Sequence, residues 1–376
     1  MRIAVNTRLL LKDRLEGIGW YTFETLSRIV EQQPKHEFYF IFDRDYSEEF
    51  IFAKNVKPIV INPPTRHPIL WYIWFELKLP KVLKELNIDL FLSPDGFLSL
   101  ASKTPSIAVI HDINFEHHPK DLKFSHSKFY RRFFKKYAHK ASRIVTVSNY
   151  SKQDICKTYN IQTSKIDISL NGVNNAFYPT GIQKQIATRK KFSEGKDYFL
   201  FVGALHPRKN IKRLLKAFDQ FKSITKSGNK LLIVGAKMWW NDELKSCFDG
   251  LTYKDEVVFT GRKNLEELKE LYSSALALCF VPYFEGFGIP IIEAMKCGCP
   301  VITSNCTAMP EVAGEAALLV DPYNTDSITN AMIKLNSHHE LRAELSEKGL
   351  IHSQKFSWNR TADALWNSIE TVLQEC

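Results

Sequence analysis

Short apolar runs alternate with longer stretches of helical periodicity along the whole chain. The runs are rich in Val, Ile, Leu and Phe, and this alternation is typical of βαβ units whose helices cover both faces of a parallel sheet. In the first half, the pattern predicts strands at residues 2–8, 37–42, 58–61, 89–93, 106–111 and 143–147. In the second half, it predicts strands at residues 198–203, 230–234, 256–260, 277–281, 300–303 and 317–320. We therefore expect an α/β protein with two Rossmann-like, doubly wound domains that face each other.

A break in this pattern separates the two halves. Residues 171–191 contain an Asn-Gly pair, a Pro, a further Gly and a basic run, which are turn and linker signals. We predict a first domain over residues 1–175, a linker over 176–192 and a second domain over 193–358. Residues 359–375 have the pattern of an amphipathic helix, which is expected either to end the second domain or to pack back on the first.

Length and composition narrow the class of protein. The chain has 376 residues, of which 44% are hydrophobic and 24% charged, so it is too long for one small core and too apolar for a disordered protein. No apolar run approaches the roughly 20 residues that cross a bilayer. The N-terminal residues lead into a strand without the features of a signal peptide, and an odd cysteine count, seven, favours reduced thiols. We expect a cytoplasmic protein.

Positive charge is concentrated in one helical segment. The net charge is +10, with +8 before residue 180 and +2 after it, and residues 120–143 contain nine Lys or Arg but one Asp. At about 100° per residue, aromatic side chains share one face of this segment and basic side chains the other. The basic face holds Lys128, Arg131, Arg132, Lys135, Lys136, Lys140 and Arg143. It is either a solvated surface or one that approaches an anionic bilayer or a lipid diphosphate, and charge confined to one helix does not indicate nucleic acid binding.

A glycine-containing loop in the second half has the features of an anion site. Gly286 and Gly288 follow a strand, and Pro290 occupies the place of the first helical residue. Unpaired N–H groups and the helix dipole attract anions at such a helix start, and parallel sheets bind ligands at this edge. Glu293 has two oxygens that can accept hydrogen bonds from both hydroxyls of a ribose. Glu285 is expected near the chemical group that is joined to a phosphate bound at this helix start. The alternative is that both carboxylates only stabilise the helix dipole.

Two adjacent cations precede another helix in this half. Arg208 and Lys209 lie just past the carboxyl end of a strand, before the helix predicted at 211–221. Two such cations can hold a diphosphate through charge-assisted hydrogen bonds worth roughly 1.5 to 3 kcal/mol each. The alternative is a solvated surface pair.

The first half carries weaker signals at its strand ends. Gly17 and Gly19 lead into a helix, where glycines either let backbone N–H groups approach a phosphate or only form a tight turn. His111 and Asp112 end one predicted strand, and Asp95 ends the strand before it. These side chains either contact a ligand at the edge of the sheet or have a structural role, with their hydrogen bonds made within the protein.

Taken together, these segments resemble the retaining nucleotide-sugar glycosyltransferases of family 4. The resemblance lies in EGFGIPIIEAM at 285–295 with its two glutamates, in HPRKN at 206–210, in VVFTGR at 257–262 and in GCPVITSN at 298–305. It continues through PEV at 310–312 and ALLVDP at 317–322, so it covers most of the second half. The resemblance implies a GT-B fold, in which an acceptor-side N-terminal domain and a donor-binding C-terminal domain face each other across an interdomain cleft.

The resemblance also implies residue roles. The implied donor-binding residues are Gly17, Gly19, Arg208, Lys209, Arg262, Glu285, Gly286, Phe287, Gly288 and Glu293. The implied catalytic residues are His111, Glu285, Arg208 and Lys209, and Asp95 and Asp112 are expected on the acceptor side. Many family members carry Arg directly after the strand glycine, where this chain has Ala204, so Arg208 is expected to take that role.

Neither a metal nor a cofactor is expected. Cys297, Cys299 and Cys306 lack the paired spacing of a zinc site, and the triplet Asp43-Arg-Asp45 is expected to be a solvated turn. The cations Arg208 and Lys209 can take the place of a metal at the diphosphate. A nucleoside diphosphate sugar is therefore expected as a substrate of a metal-independent enzyme.

The expected reaction is transfer of a hexose with retention of configuration. Retention is possible through a glycosyl ester on a carboxylate, or through front-side attack in which the leaving phosphate takes the proton of the acceptor. The second route is favoured, because Glu285 has a role at the helix start and no second carboxylate is evident beside it. GDP-mannose is the favoured donor and UDP-sugars remain open, with a glycan or lipid-linked saccharide of cell-surface polysaccharide synthesis as acceptor. The alternative is a non-catalytic basic protein that binds membrane or nucleic acid on the same scaffold, which would not depend on Glu285 or Lys209.

Overall fold

The computed structural model describes residues 1–236 and 240–375, and the chain divides into two compact units. The first unit comprises Met1–Gly172 and the C-terminal helix that begins at Trp358, and the second comprises Val173–Ser357. Each unit contains one parallel sheet with helices between its strands. The predicted α/β class with two Rossmann-like, doubly wound domains is therefore confirmed.

The first unit is built around a seven-stranded sheet. Its elements up to residue 172 are β1 (Arg2–Asn6), α1 (Gly17–Gln32), β2 (Glu37–Phe42), β3 (Val56–Val60), α2 (Pro68–Tyr72), α3 (Leu79–Glu85), β4 (Leu90–Ser93), β5 (Ser106–Val109), α4 (Asn114–His117), α5 (Phe124–Lys140), β6 (Arg143–Thr146), α6 (Asn149–Tyr159) and β7 (Ile166–Ile168). A π-helical segment, Ile73–Lys78, joins α2 to α3. The strand order is β3-β2-β1-β4-β5-β6-β7, and every neighbouring pair is parallel.

The second unit has a six-stranded sheet. Its elements are α7 (Ile182–Ser193), β8 (Tyr198–Val202), α8 (Ile211–Thr225), β9 (Lys230–Val234), α9 (Asp242–Asp249), β10 (Val257–Gly261), α10 (Leu265–Ser274), β11 (Ala277–Phe280), α11 (Ile289–Lys296), β12 (Val301–Ser304), α12 (Met309–Ala313), β13 (Ala317–Val320), α13 (Thr325–Ser337) and α14 (His339–Ser353). The strand order is β10-β9-β8-β11-β12-β13, again with parallel pairs.

The final helix, α15 (Trp358–Gln374), packs on the first unit against α1. The Thr361 hydroxyl donates to the carbonyl of Leu170 at 2.6 Å, and the Arg28 guanidinium donates to Asn359 at 2.7 Å. Its buried face, which includes Trp366 and Ile369, supplies the apolar contact that an amphipathic helix requires.

The predicted strands are all present, and their ends differ from the prediction by at most two residues. The sequence pattern missed β7, because a strand of three residues gives almost no periodic signal. The prediction of a linker over 176–192 is wrong from residue 182 onward, because α7 begins there. This helix is mostly polar and is held to α10 by ion pairs such as Lys184 to Glu270 at 2.8 Å, so it lacks the apolar stripe by which helices are recognised.

Helix α5 separates aromatic and basic side chains as its sequence predicts. Phe129, Phe134 and Tyr137 are buried, and Phe97 from the loop after β4 packs edge-on against Phe134 at 5.2 Å. The opposite face is exposed, and its members are Lys128, Arg131, Arg132, Lys135, Lys136 and Lys140. Arg143 does not belong to this face, which corrects the helical projection. It begins β6, where its guanidinium makes two 2.6 Å hydrogen bonds to Asp167.

No helix in the described ranges, 1–236 and 240–375, combines the length and the apolar character needed to cross a membrane.

Candidate functional site

The sheet of the second unit has a switch point between β8 and β11. The chain proceeds outward from β8 through β9 to β10, and then returns to pair β11 with the other side of β8. The loops that follow β8 and β11 therefore leave the carboxyl edge of the sheet in opposite directions. Open parallel sheets bind ligands in the crevice that such loops form. The HPRKN and EGFG segments are these two loops.

The loop after β8 is fixed by Asn210. Its backbone is left-handed, with φ at 62°, a conformation that Asn tolerates better than most residues. The side-chain amide is buried and donates to the carbonyls of Val281 at 3.0 Å and Pro322 at 2.7 Å. The N–H of Tyr283 also donates to the carbonyl of Arg208 at 3.0 Å. These contacts hold the two loops together, a role for Asn210 that the sequence did not indicate.

Arg208, Lys209 and Glu285 form one ionic cluster. The Lys209 ammonium lies 2.6 Å from Oε1 of Glu285, and Nε of Arg208 lies 3.2 Å from the same oxygen. Glu285 is buried, and the Lys209 ammonium also lies 4.7 Å from the centre of the Phe280 ring. The structure thus brings together three residues that the sequence singled out from two separate segments. A buried carboxylate that faces two cations is stable only while they compensate its charge.

The backbone between Glu285 and α11 turns sharply at Gly288. Its φ is +100°, and a Cβ there would lie 3.0 Å from the methyl carbon of Met309. The positive φ favours glycine at this position, and a Cβ would also press against the end of the Met309 side chain. Pro290 is the second residue of α11 and not the first, as the pattern had suggested. The ring of Phe287 is buried against Phe356 at 5.8 Å, so its side chain packs within this unit.

Glu293 lies in the middle of α11 and is mostly buried. The hydroxyl of Tyr272, from α10, donates to its Oε2 at 2.8 Å. Burial raises the pKa of Glu293 to about 7, although the hydrogen bond from Tyr272 favours the ionised carboxylate. The carboxyl group therefore changes charge near neutral pH.

Three glycines line the edge of the sheet beside this site. Gly203, Gly235 and Gly261 come at the ends of β8, β9 and β10, and each has a positive φ. A Cβ on Gly235 would lie 1.9 Å from the carbonyl oxygen of Gly203, so no side chain fits there. The sequence prediction did not include Gly235, although a glycine at the carboxyl end of each of three strands was a readable signal. Arg262 follows Gly261 and is exposed, and β9 separates its strand from β8.

The first unit has its own switch point, between β1 and β4. Asp95 lies there and makes a buried ion pair with Arg8, with 2.6 Å between Nε and Oδ2. Asn6 and Ser93 donate to its other oxygen at 2.8 and 3.0 Å, and Arg8 also donates to Thr65 at 3.1 Å. The structure therefore gives Asp95 a structural partner in Arg8, which sequence analysis did not single out.

The other candidates of this unit lie around α1. Gly17 begins the helix, and a Cβ on Gly19 would lie 2.9 Å from the carbonyl oxygen of Leu9. The His111 ring packs edge-on against Tyr21 of α1 at 4.9 Å, and its Nε2 lies 2.9 Å from the carbonyl oxygen of Pro94. Burial lowers the pKa of His111, so its ring is neutral at pH 7. Asp112 accepts the N–H of Asn114 at 3.1 Å, which is a local turn contact.

Asp43 differs from its expected surroundings. It is fully buried and accepts hydrogen bonds from Arg44 at 2.6 Å and from the N–H of Thr65 at 2.6 Å. Burial opposes its ionisation, but these donors hold the pKa of Asp43 below its ordinary value. The expectation of a solvated turn is therefore wrong for Asp43, which anchors the loop, whereas Asp45 is exposed as expected. Within the described part of the chain, no three His, Cys, Asp or Glu side chains are grouped as metal ligands.

Two doubly wound parallel-sheet units, the second with cations and carboxylates at its switch point, define a protein of the GT-B class. A family model described as Glycosyltransferase Family 4 matches residues 15–177, and one described as Glycosyl transferases group 1 matches residues 183–351. The chain belongs to glycosyltransferase family 4, and it is a glycosyltransferase.

Relatives match over most of the chain. O-antigen chain mannosyltransferase B of Escherichia coli is 29% identical, over 96% of this chain and 98% of that protein. O-antigen chain mannosyltransferase RfbU of Salmonella typhimurium is 31% identical, over 77% of this chain and 78% of that protein. The solved structure of Anabaena HepE in complex with UDP-glucose is 16% identical, with a TM-score of 0.78 over 99% of this chain and 100% of that one. This last likeness concerns the fold.

Proposed function

We propose that this protein is a retaining mannosyltransferase of O-antigen or lipopolysaccharide synthesis that uses GDP-mannose and no metal ion. The observation that carries the proposal is the match along nearly the whole chain to a protein named O-antigen chain mannosyltransferase B. The acceptor is a glycan or a lipid-linked saccharide. A UDP-sugar is the second candidate donor, because HepE, a structure with the same fold, is described in complex with UDP-glucose.

The ionic cluster supports a donor diphosphate site. Lys209 and Arg208 converge on one carboxylate oxygen, which is an arrangement that also suits a phosphate oxygen. The two cations then stabilise the charge that develops on the leaving diphosphate. Glu293 binds the ribose, and the amides of Gly286 and Gly288 lie near the sugar and its phosphate. The roles of Gly17, Gly19, Arg262, His111, Asp95 and Asp112 in donor or acceptor binding are proposed from the family resemblance.

The proposed transfer is a front-side displacement. The bond between the anomeric carbon and the diphosphate oxygen breaks, and its electron pair stays with the diphosphate. The acceptor hydroxyl attacks from the same face, and its proton passes to the departing phosphate. Glu285 acts as the charge partner of Lys209 and Arg208 and not as a nucleophile. A glycosyl ester on Glu285, trapped and found by mass spectrometry, would contradict this route.

GDP is expected to stabilise the protein against heat in the presence of EDTA. A ligand that binds only the native state adds stability by RT ln(1 + [L]/Kd), or about 2.7 kcal/mol at one hundred times Kd. The measurement is the melting temperature with GDP, UDP or ADP, followed by transfer of radiolabelled mannose or glucose from the matching donor. Stabilisation by UDP alone would favour the second donor. No stabilisation by any of the three would favour a non-catalytic scaffold.

We further propose that the protein is cytoplasmic and that five residues of the basic face of α5 bind the anionic inner surface of the plasma membrane: Lys128, Arg131, Arg132, Lys135 and Lys136. Exposed apolar side chains lie beside it: Phe124 at the start of α5 is 81% exposed, and Tyr72 on α2 is 47% exposed. The Tyr72 ring is 6.3 Å from that of Phe133, which lies 5.9 Å from the Lys136 ammonium. Adjacent basic and apolar side chains suit the interface of an anionic bilayer, not a nucleic acid.

Reversal of this charge is expected to release the protein from anionic vesicles. Each basic residue near an anionic surface contributes about 1 kcal/mol, so Arg131→Glu/Arg132→Glu/Lys135→Glu should reduce binding more than 100-fold. The measurement is flotation with vesicles that contain or lack phosphatidylglycerol. The matched control reverses three exposed helical lysines of the second unit, Lys190, Lys216 and Lys334, and should still float. Equal flotation of both triple variants would contradict the proposal.

A further inference from the structure

A buried tyrosine contacts the carboxylate that is proposed to bind the donor ribose. Tyr272 lies in α10, its side chain is fully buried, and its ring packs edge-on against Phe177 at 5.8 Å. Its hydroxyl reaches across to α11 and donates to Oε2 of Glu293 at 2.8 Å. Because the ring is buried and packed in this way, the hydroxyl has little freedom to move.

The hydrogen bond determines how Glu293 presents its second oxygen. A carboxylate is planar, so fixing Oε2 also fixes the direction of Oε1. A pair of ribose hydroxyls binds best to an acceptor that is already oriented, because ordering a flexible side chain on binding costs free energy. Burial raises the pKa of the Tyr272 hydroxyl well above its ordinary value, so it remains a donor at every working pH.

We propose that Tyr272 is a positioning residue of the donor site, which holds the Glu293 carboxylate in the orientation that accepts the ribose hydroxyls. The inference rests on the proposed function, because it assumes that Glu293 binds a ribonucleotide. It extends that function to a side chain that lies behind the site and touches Glu293 rather than the donor. The specificity it predicts is for a ribose with intact hydroxyls.

The test compares ribonucleotides with analogues that lack the hydroxyls. Calorimetry gives the Kd of wild type and Tyr272→Phe for GDP and UDP and for their 2′,3′-dideoxy forms. Tyr272→Phe is expected to weaken the preferred ribonucleotide about tenfold, and to change the affinity of its dideoxy analogue less than twofold. Equal losses for both forms would indicate general damage to the unit and would overturn the proposal.

A pH profile provides a second readout. The hydrogen bond from Tyr272 favours the ionised Glu293, so its removal raises the pKa of that carboxylate. The acid limb of ribonucleotide affinity should therefore move to higher pH in Tyr272→Phe. An acid limb that stays where it is in wild type would overturn the proposal.

Tyr198→Phe is the matched control. Tyr198 is also fully buried in this unit, and its hydroxyl donates to the carbonyl of Leu271 at 2.7 Å. Its replacement removes a comparable hydrogen bond that does not involve Glu293, so nucleotide affinity should not change. If Tyr272→Phe binds ribonucleotides as wild type does, this inference alone fails. If wild type binds no nucleoside diphosphate, the proposed function fails and the inference with it.

Discussion

Lys209→Met is expected to lower kcat/KM for sugar transfer about 1,000-fold. The ammonium of Lys209 lies 2.6 Å from Glu285, and in the proposed reaction it stabilises the leaving diphosphate. Removal of one oriented hydrogen-bond donor from such a site lowers the rate about 10²- to 10³-fold. Met keeps most of the length of the side chain and its contact with the Phe280 ring, so the change removes mainly charge. The measurement is single-turnover transfer from the donor identified by thermal stabilisation.

In this variant the negative charge of the buried Glu285 carboxylate is also less well compensated. Arg208, at 3.2 Å, is then the one partner that remains in the ionic cluster, so the melting temperature should fall. The double variant Lys209→Met/Glu285→Gln removes both charges and should recover stability but not activity. Lys212→Met, on the exposed surface of α8, is the control and should behave as wild type. Transfer by Lys209→Met within tenfold of wild type would refute the assignment of Lys209 to the diphosphate.

Glu293→Gln is expected to stabilise the protein and to weaken donor binding. Burial raises the pKa of Glu293 to about 7, so the folded protein carries a buried charge above that pH at a cost in stability. Gln retains an oxygen that accepts the Tyr272 hydroxyl but carries no charge. A hydrogen bond to a charged group is worth about 1.5 to 3 kcal/mol, so donor affinity should fall about 10- to 100-fold.

The stability gain should depend on pH in a defined direction. The carboxyl of an unfolded Glu ionises near pH 4.5, whereas that of native Glu293 ionises near 7. Between these values the native state binds more protons than the unfolded state, so its stability falls as pH rises. Gln does not titrate, so the advantage of the variant grows from near zero at pH 4.5 to about 3 kcal/mol at pH 8. Thermal unfolding without nucleotide at both pH values is the measurement, and a gain independent of pH would refute this account.

The ionic cluster combines residues that the sequence indicated with a geometry that it did not. The motifs at 206–210 and 285–293 indicated Arg208, Lys209 and Glu285 individually, because cations and carboxylates next to strand ends are visible in a linear pattern. Their convergence on one oxygen depends on the pairing of β8 with β11, which are separated by two other strands in sequence. Asn210 and Tyr272 were missed for the same reason, since each acts through a partner on another element.

The burial of acidic side chains was the property that the sequence predicted least well. Asp43 and Asp95 were expected at solvated or ligand-facing positions, and both are buried with cationic partners. Whether a short polar motif is buried depends on loops that are distant in sequence, so the motif itself does not indicate its burial. The sequence pattern predicts a linker where α7 lies, because this helix is held to α10 by ion pairs, and such pairs leave no apolar periodicity in the chain.

The amino-acid sequence was enough to indicate the α/β class, the strands other than β7, the amphipathic division of α5 and the family. These follow from local periodicity and from motifs in which neighbouring residues act together, so the order of residues is sufficient. The folded structure was needed to show that Lys209 and Arg208 share the Glu285 carboxylate, that Tyr272 contacts Glu293 and that α15 returns to the first unit. These contacts join elements that are far apart in sequence, and the order of the strands in each sheet determines which of them meet.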